Sequence, residues 1–131
     1  MTLFVDASAL VAIIAGEPGS TVFSQRISDD DDPLWSAVTE WEAVTALCRS
    51  HGYPIEVARR EVGDFAAALP FRRVVIDSFE SALALDAYQT YGKGRHPAAL
   101  NMGDCFAYAC AKANGAQLLY KGDDFARTDL A

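Results

Sequence analysis

The hydrophobic pattern opens with Leu3-Phe4-Val5, three β-favouring apolar residues without alternation. Such a run suits a strand buried on both faces, in the middle of a parallel sheet. It stops at Asp6, and Ser8 is placed to cap a helix that Ala9 to Ala15 continues. Gly16-Glu17-Pro18-Gly19-Ser20 breaks the pattern, and a second helix reaches about Ser28. Beyond the acidic stretch Asp29 to Asp32, Leu34-Trp35-Ser36 reads as a short strand leading into a helix over Val38 to Arg49, which Gly52 closes. From Pro54 to Leu69 the apolar residues Ile55, Ala58, Val62, Phe65, Ala66 and Leu69 keep helical spacing. Arg72 to Ile76 is a third strand, and Asp77-Ser78-Phe79-Glu80 resembles the capped start of a helix running to about Tyr91. A basic, flexible loop, Gly92 to Pro97, precedes a helix over Ala98 to Asn114 that is crowded with small residues. Gln117 to Tyr120 is the fourth strand, and it runs out into Lys121-Gly122-Asp123-Asp124-Phe125.

Strands separated by helices call for crossover connections, hence a parallel sheet covered on both faces. The expected fold is an α/β, three-layer α/β/α domain. At 131 residues the chain is expected to form a single domain over 1–131, with no internal repeat or linker. No apolar run approaches the ~20 residues that span a bilayer, and the start lacks the basic region of a signal peptide. Cys48, Cys105 and Cys110 have no paired spacing and read as small buried thiols, so a cytoplasmic location is expected. His51 and His96 are too few and too far apart in sequence for a zinc site.

Charge changes this picture. The net charge of −7 has the wrong sign for a surface that binds nucleic acid by its own cations. Asp29 to Asp32 supply four of those charges and read as a solvated turn. The remaining acids are more telling. Asp6 and the pair Asp123-Asp124 follow strands, and Asp104 opens a helix with Asn101 as its cap. Right-handed crossovers bring strand ends and the starts of following helices to one rim of the sheet. Carboxylates meeting there repel one another by several kcal/mol at ~4 Å, with an effective dielectric near 20. A divalent cation removes that cost, and oxygen-only ligation selects Mg2+ or Mn2+ over zinc. Asp6, at the end of a buried strand, is the hardest to explain structurally, but the other acids also have ordinary readings. Glu42 would complete a capping box with Thr39, Asp104 would complement a helix dipole, and Asp77 and Glu80 form a capping pair.

Four segments carry a resemblance. They are Val5-Asp6-Ala7-Ser8, Ser36-Ala37-Val38-Thr39-x-x-Glu42, Leu100-Asn101-Met102-Gly103-Asp104 with the residues through Ala109, and Leu119-Tyr120-Lys121-Gly122-Asp123-Asp124-Phe125. In this order they resemble the successive motifs of PIN-domain ribonucleases, above all toxins of the VapC type. The resemblance implies a PIN-like domain and a Mg2+-dependent endoribonuclease with an acidic quartet, here Asp6, Glu42, Asp104 and Asp123, with Asp124 the adjacent alternative. It also implies an RNA substrate, a cognate antitoxin that blocks the site, and a toxin homodimer.

On this reading Asp6 and Asp104 are the main metal ligands, and Glu42 with Asp123 or Asp124 completes the shell. Ser8 and Thr39 would orient ligands or the substrate phosphate, while Arg95, helped by Lys93, would contact the RNA backbone. A phospho-acceptor receiver domain is the first competitor, since it too is a small acidic α/β fold with a late lysine. It fits poorly, because one acid rather than an acidic pair ends the first strand. A non-catalytic PIN-like binding module is the second. Acids crowded together without a cation would only destabilise such a module.

Overall fold

In the computed structural model, which describes residues 2–131, the elements are β1 (Leu3–Val5), α1 (Ala7–Ala15), α2 (Ser20–Ser28), β2 (Leu34–Trp35), α3 (Ala37–His51), α4 (Ile55–Ala68), β3 (Arg72–Arg73), α5 (Ser78–Tyr91), α6 (Met102–Ala113) and β4 (Gln117–Leu119). The strands form a parallel sheet in the order β3-β2-β1-β4. β1 is therefore internal, with Phe4 opposite Leu34 on one side and Leu118 on the other. All three of its residues are buried, as an unalternating apolar run requires.

Two cores sandwich the sheet. Phe4, Leu34 and Leu118 pack on one face against Ala84 and Ala87 of α5 and Ala107, Ala111 and Cys110 of α6. Leu3, Val5 and Trp35 pack on the other face against Leu10, Leu47, Ala58 and Val62 from α1, α3 and α4. The small side chains of α6 let that helix lie close on the sheet. This is the three-layer α/β/α arrangement expected of the chain. No single helix among the described residues is long and apolar enough to cross a membrane.

Several local expectations are corrected. Helix α1 begins two residues early, because Asp6 rather than Ser8 is its cap; the Asp6 carboxylate accepts the Ser8 N–H. Ser36 ends β2 and caps α3, forming a capping box with Thr39, so Glu42 is not part of the cap. Strand β3 stops at Arg73 because β2 has already turned into its helix. The last bond runs from Val74 N–H to the Trp35 carbonyl, and Val75 is left 76% exposed. Helix α6 begins at Met102, since residues 98–100 form a turn in which Ala99 takes φ 53° and Leu100 bridges to Gly92. The acidic turn is less solvated than its composition implies. Asp30 is buried, and its carboxylate accepts the Leu3 N–H at 2.6 Å, fastening the turn to the start of β1.

Candidate active site

The site grows from the carboxyl end of β1. Asp6 is 5% exposed, and its N–H still donates to the Leu119 carbonyl, so the backbone there is part of the sheet. One carboxylate oxygen, Oδ2, accepts from the Ser8 N–H at 3.0 Å and from the Ser8 hydroxyl at 2.6 Å. The other, Oδ1, is buried and has no hydrogen-bond partner among the described residues. Burial raises the Asp6 pKa above the ordinary value, the Ser8 hydrogen bonds oppose the rise, and the Asp124 charge adds to it. An ionised carboxylate buried with a free oxygen is costly unless a cation meets it.

Three other acids look toward Asp6. Glu42 lies on α3, one turn past the Ser36–Thr39 cap, and burial lifts its pKa to about 7, helped by the charges of Asp6 and Asp104. Its carboxylate rests against Gly103 of α6, where a Cβ would overlap it. Asp104 is 7% exposed, at the first turn of α6. Burial raises its pKa to about 7, the Asn101 N–H pulls it down, and the Asp6 and Asp124 charges push it up. The Asp124 carboxyl is also near enough to share a hydrogen bond with that of Asp104 when one of them is protonated. Mutual elevation of this kind marks carboxyl groups held together against their repulsion.

Asp104 is a cap and a cluster member at once. Its Oδ2 accepts the Asn101 N–H at 3.1 Å, while the Asn101 side chain accepts the Asp104 N–H at 2.9 Å. The box leaves Oδ1 uncommitted. Asp124 reaches the cluster because the chain after β4 is pinned at both ends. The Lys121 N–H donates to the Ser8 hydroxyl at 2.9 Å. Phe125 is 1% exposed and meets Tyr120 edge-on at 5.2 Å. Of the adjacent pair it is the Asp124 charge that acts on Asp6 and Asp104, although both Asp123 and Asp124 are exposed on the turn.

The other expected residues are placed as follows. Ser8 links Asp6 to the β4 turn. Thr39, expected to orient ligands or substrate, is buried, with its hydroxyl accepting the Ser36 N–H. Arg95 is exposed in the loop before α6, its guanidinium 5.0 Å from the Tyr88 ring centre. The Asp77–Glu80 pair forms the capping box its spacing implied. One network escaped the sequence reading. Lys121 Nζ and His51 Nε2 both bind Glu17, at 2.8 and 2.7 Å, holding its carboxyl below the usual range. These residues are far apart in sequence, so no local motif announces them.

The donor set is oxygen-only, of the kind that suits a hard divalent cation, and Asp6 Oδ1 is a buried acceptor with no hydrogen-bond partner among the described residues. As they lie, no three Asp, Glu, His or Cys side chains among the described residues stand at ligand spacing.

A family model described as "PIN domain" matches residues 3–130. A VapC ribonuclease of Rhizobium meliloti is 47% identical, covering 97% of this chain and 98% of its own length. Ribonuclease VapC30 of Mycobacterium tuberculosis is 37% identical, covering 98% and 96%. Among solved structures, Mycobacterium tuberculosis VapC20, described as a sarcin-ricin loop cleaving toxin, superposes with a TM-score of 0.73 at 19% identity, over 95% of this chain and 92% of that one. A toxin–antitoxin complex from Klebsiella pneumoniae gives 0.70 at 17% identity, over 99% and 94%. These two likenesses bear on the fold.

The raised pKa values predict an unusual pH dependence of stability. Glu42 and Asp104 release their protons near 7 when folded, against ordinary values of 4.5 and 3.8. Between those limits the folded chain holds more protons than the unfolded one, so stability falls as pH rises through about 7. Melting temperature measured in EDTA should therefore drop between about pH 5 and about pH 8. Glu42→Gln should flatten the drop. Gly103→Ala should do the same, because its methyl group displaces the Glu42 carboxylate. A wild-type melting temperature that rises across this range would contradict the clustering of these acids.

Proposed function

The chain belongs to the PIN-domain family, and we propose that it is a metal-dependent endoribonuclease of the VapC type, the toxin of a toxin–antitoxin pair acting in the cytoplasm. The observation that carries the reading is Asp6 Oδ1, a buried carboxylate oxygen with no partner among the described residues, amid three further acids. A fold does not hold such a group for stability. Near-full-length identity to proteins named VapC ribonucleases supports the chemistry.

Asp6 and Asp104 would hold a Mg2+ or Mn2+ ion, with Glu42 and Asp124 completing its surroundings directly or through water. When bound, the ion supplies a water of lowered pKa and positive charge against the phosphodiester. The chain's own residues do the rest. Ser8 fixes the Asp6 carboxylate by its hydroxyl and its N–H, leaving Oδ1 turned to the site. The Asn101–Asp104 box fixes Asp104 in the same way. Burial and mutual charge raise the pKa values of Glu42 and Asp104 to about 7, and a bound cation would offset this and hold both carboxylates in their ionised, ligating form. Arg95 and Lys93, exposed before α6, would contact the RNA backbone beyond the acids.

The same charge defines the partner. A cognate antitoxin would place a cation, such as an Arg guanidinium, among the acids and so exclude RNA and metal together. A homodimer is part of the proposal, by likeness to the family. The receiver-domain alternative loses ground, since Lys121 Nζ is engaged by Glu17 and the Asp77 carboxylate by the Ser78 N–H.

In an RNA cleavage assay with Mg2+ or Mn2+, excess EDTA should abolish activity. Asp124→Asn should lower the rate by orders of magnitude, whereas Asp123→Asn should remain close to wild type. Cleavage undiminished in chelator would rule out the metal mechanism. A severe loss confined to Asp123→Asn would reverse the assignment within the pair.

A further inference from the structure

Beside α6 lies a groove of about 300 Å³ between this helix and α5. Leu85, Tyr88, Met102 and Phe106 form much of its lining, and the lining is almost wholly apolar. Leu85 and Met102 are 65% and 64% exposed and Tyr88 46%, so these large side chains are presented to solvent next to one another. Water-facing apolar surface of this kind marks a binding site more often than an accident of folding.

The rim is basic. Lys93 lines the groove, and Arg95 stands over the Tyr88 ring. Both belong to the loop that precedes α6, in a chain whose net charge is −7. Gly92 fixes this arrangement, because a Cβ there would overlap the Tyr88 carbonyl and ring; the loop lies directly on Tyr88 and holds it in place. The groove is also continuous with the acids. Asn101, one of its lining residues, caps α6 and exchanges hydrogen bonds with Asp104. Groove and acid cluster thus adjoin at the start of α6.

We infer that this groove is a nucleobase subsite: it takes one unstacked base of a single-stranded RNA a short distance from the scissile phosphate, while Lys93 and Arg95 meet the flanking phosphates. The inference rests on the ribonuclease reading above and adds to it the place where sequence is read. The chemistry matches on both counts. Sequence-selective recognition of RNA works on splayed bases laid against aromatic and apolar side chains or guanidinium planes. A strand alternates apolar base faces with phosphates, and the groove sets an apolar floor beside two cations. A second copy of this chain would meet the floor equally well, but it would bring another Lys93 and Arg95 rather than anions to face them.

The test pairs a protein change with a change in the RNA. Cleavage of a randomised single-stranded RNA pool by the wild-type holoenzyme should show a base preference at a fixed distance from the cut. Tyr88→Ala and Met102→Ala should flatten that preference and slow cleavage of the preferred sequence by roughly tenfold. Replacing the preferred nucleotide by an abasic one should slow the wild type similarly, yet leave the variants unaffected. Melting curves and sedimentation accompany each variant. Variants that keep the wild-type base profile would overturn the inference while leaving the nuclease reading intact. Variants that fall apart into smaller species and lose activity equally on all sequences would assign the groove to a second copy. A wild type that cleaves no member of the pool would overturn the nuclease reading and the subsite together.

Discussion

Much of this structure depends on one carboxylate. Asp6 ends the internal strand, where backbone hydrogen bonding and burial leave it no freedom to move toward water. One oxygen is satisfied by Ser8, and the other is buried without a partner among the described residues. The cost of that arrangement is electrostatic, and three further acids increase it. Each neighbour is brought in by an element that has its own reason to exist. The Ser36–Thr39 cap starts α3 one turn before Glu42, the Asn101 box starts α6 with Asp104 in its first turn, and buried Phe125 anchors the turn that carries Asp124. The fold thus holds together charges that would separate if they were free.

Glycine has a particular part in this. Gly103 lies in a helix, where glycine weakens the helix by about 1 kcal/mol relative to alanine. It is there because the Glu42 carboxylate occupies the volume a methyl group would need. The chain trades helix stability for the approach of a second acid to Asp104, the kind of local cost found at functional sites. Gly92 repeats the logic on the far side of α6, where its missing Cβ lets the basic loop settle on Tyr88.

Elements that carry strong periodicity were legible from the sequence. The first strand, the crossover helices and the three-layer arrangement follow from apolar runs and helical spacing that tertiary contacts reinforce rather than override. Boundaries were less so, for identifiable reasons. Ser36-x-x-Thr39 and Thr39-x-x-Glu42 are both credible capping frames, and only the point where β2 leaves the sheet selects the first. β3 looked longer because Val74-Val75-Ile76 has strand propensity, but its neighbour had no more backbone to offer. In the site, the coming together of Asp6 and Asp104 could be inferred from strand ends and helix starts. Which of Asp123 and Asp124 brings its charge to bear on Asp104 depends on how the turn before buried Phe125 is set, a fact of packing with no signature in local sequence. The fastening of Asp30 to Leu3 and of Glu17 to Lys121 and His51 was likewise invisible, since both join residues distant along the chain.

The central claim is that the acids at the end of β1 are held against their own repulsion so that a divalent cation can bind. Melting of Asp6→Asn beside the wild type, each with and without Mg2+, tests it most directly, because the amide keeps the shape and the Ser8 contact but removes the buried charge. Without metal the variant should melt at the same temperature as the wild type or higher. With Mg2+ the wild type should rise and the variant should not. A variant that is less stable than the wild type without metal, yet gains as much from Mg2+, would contradict the account.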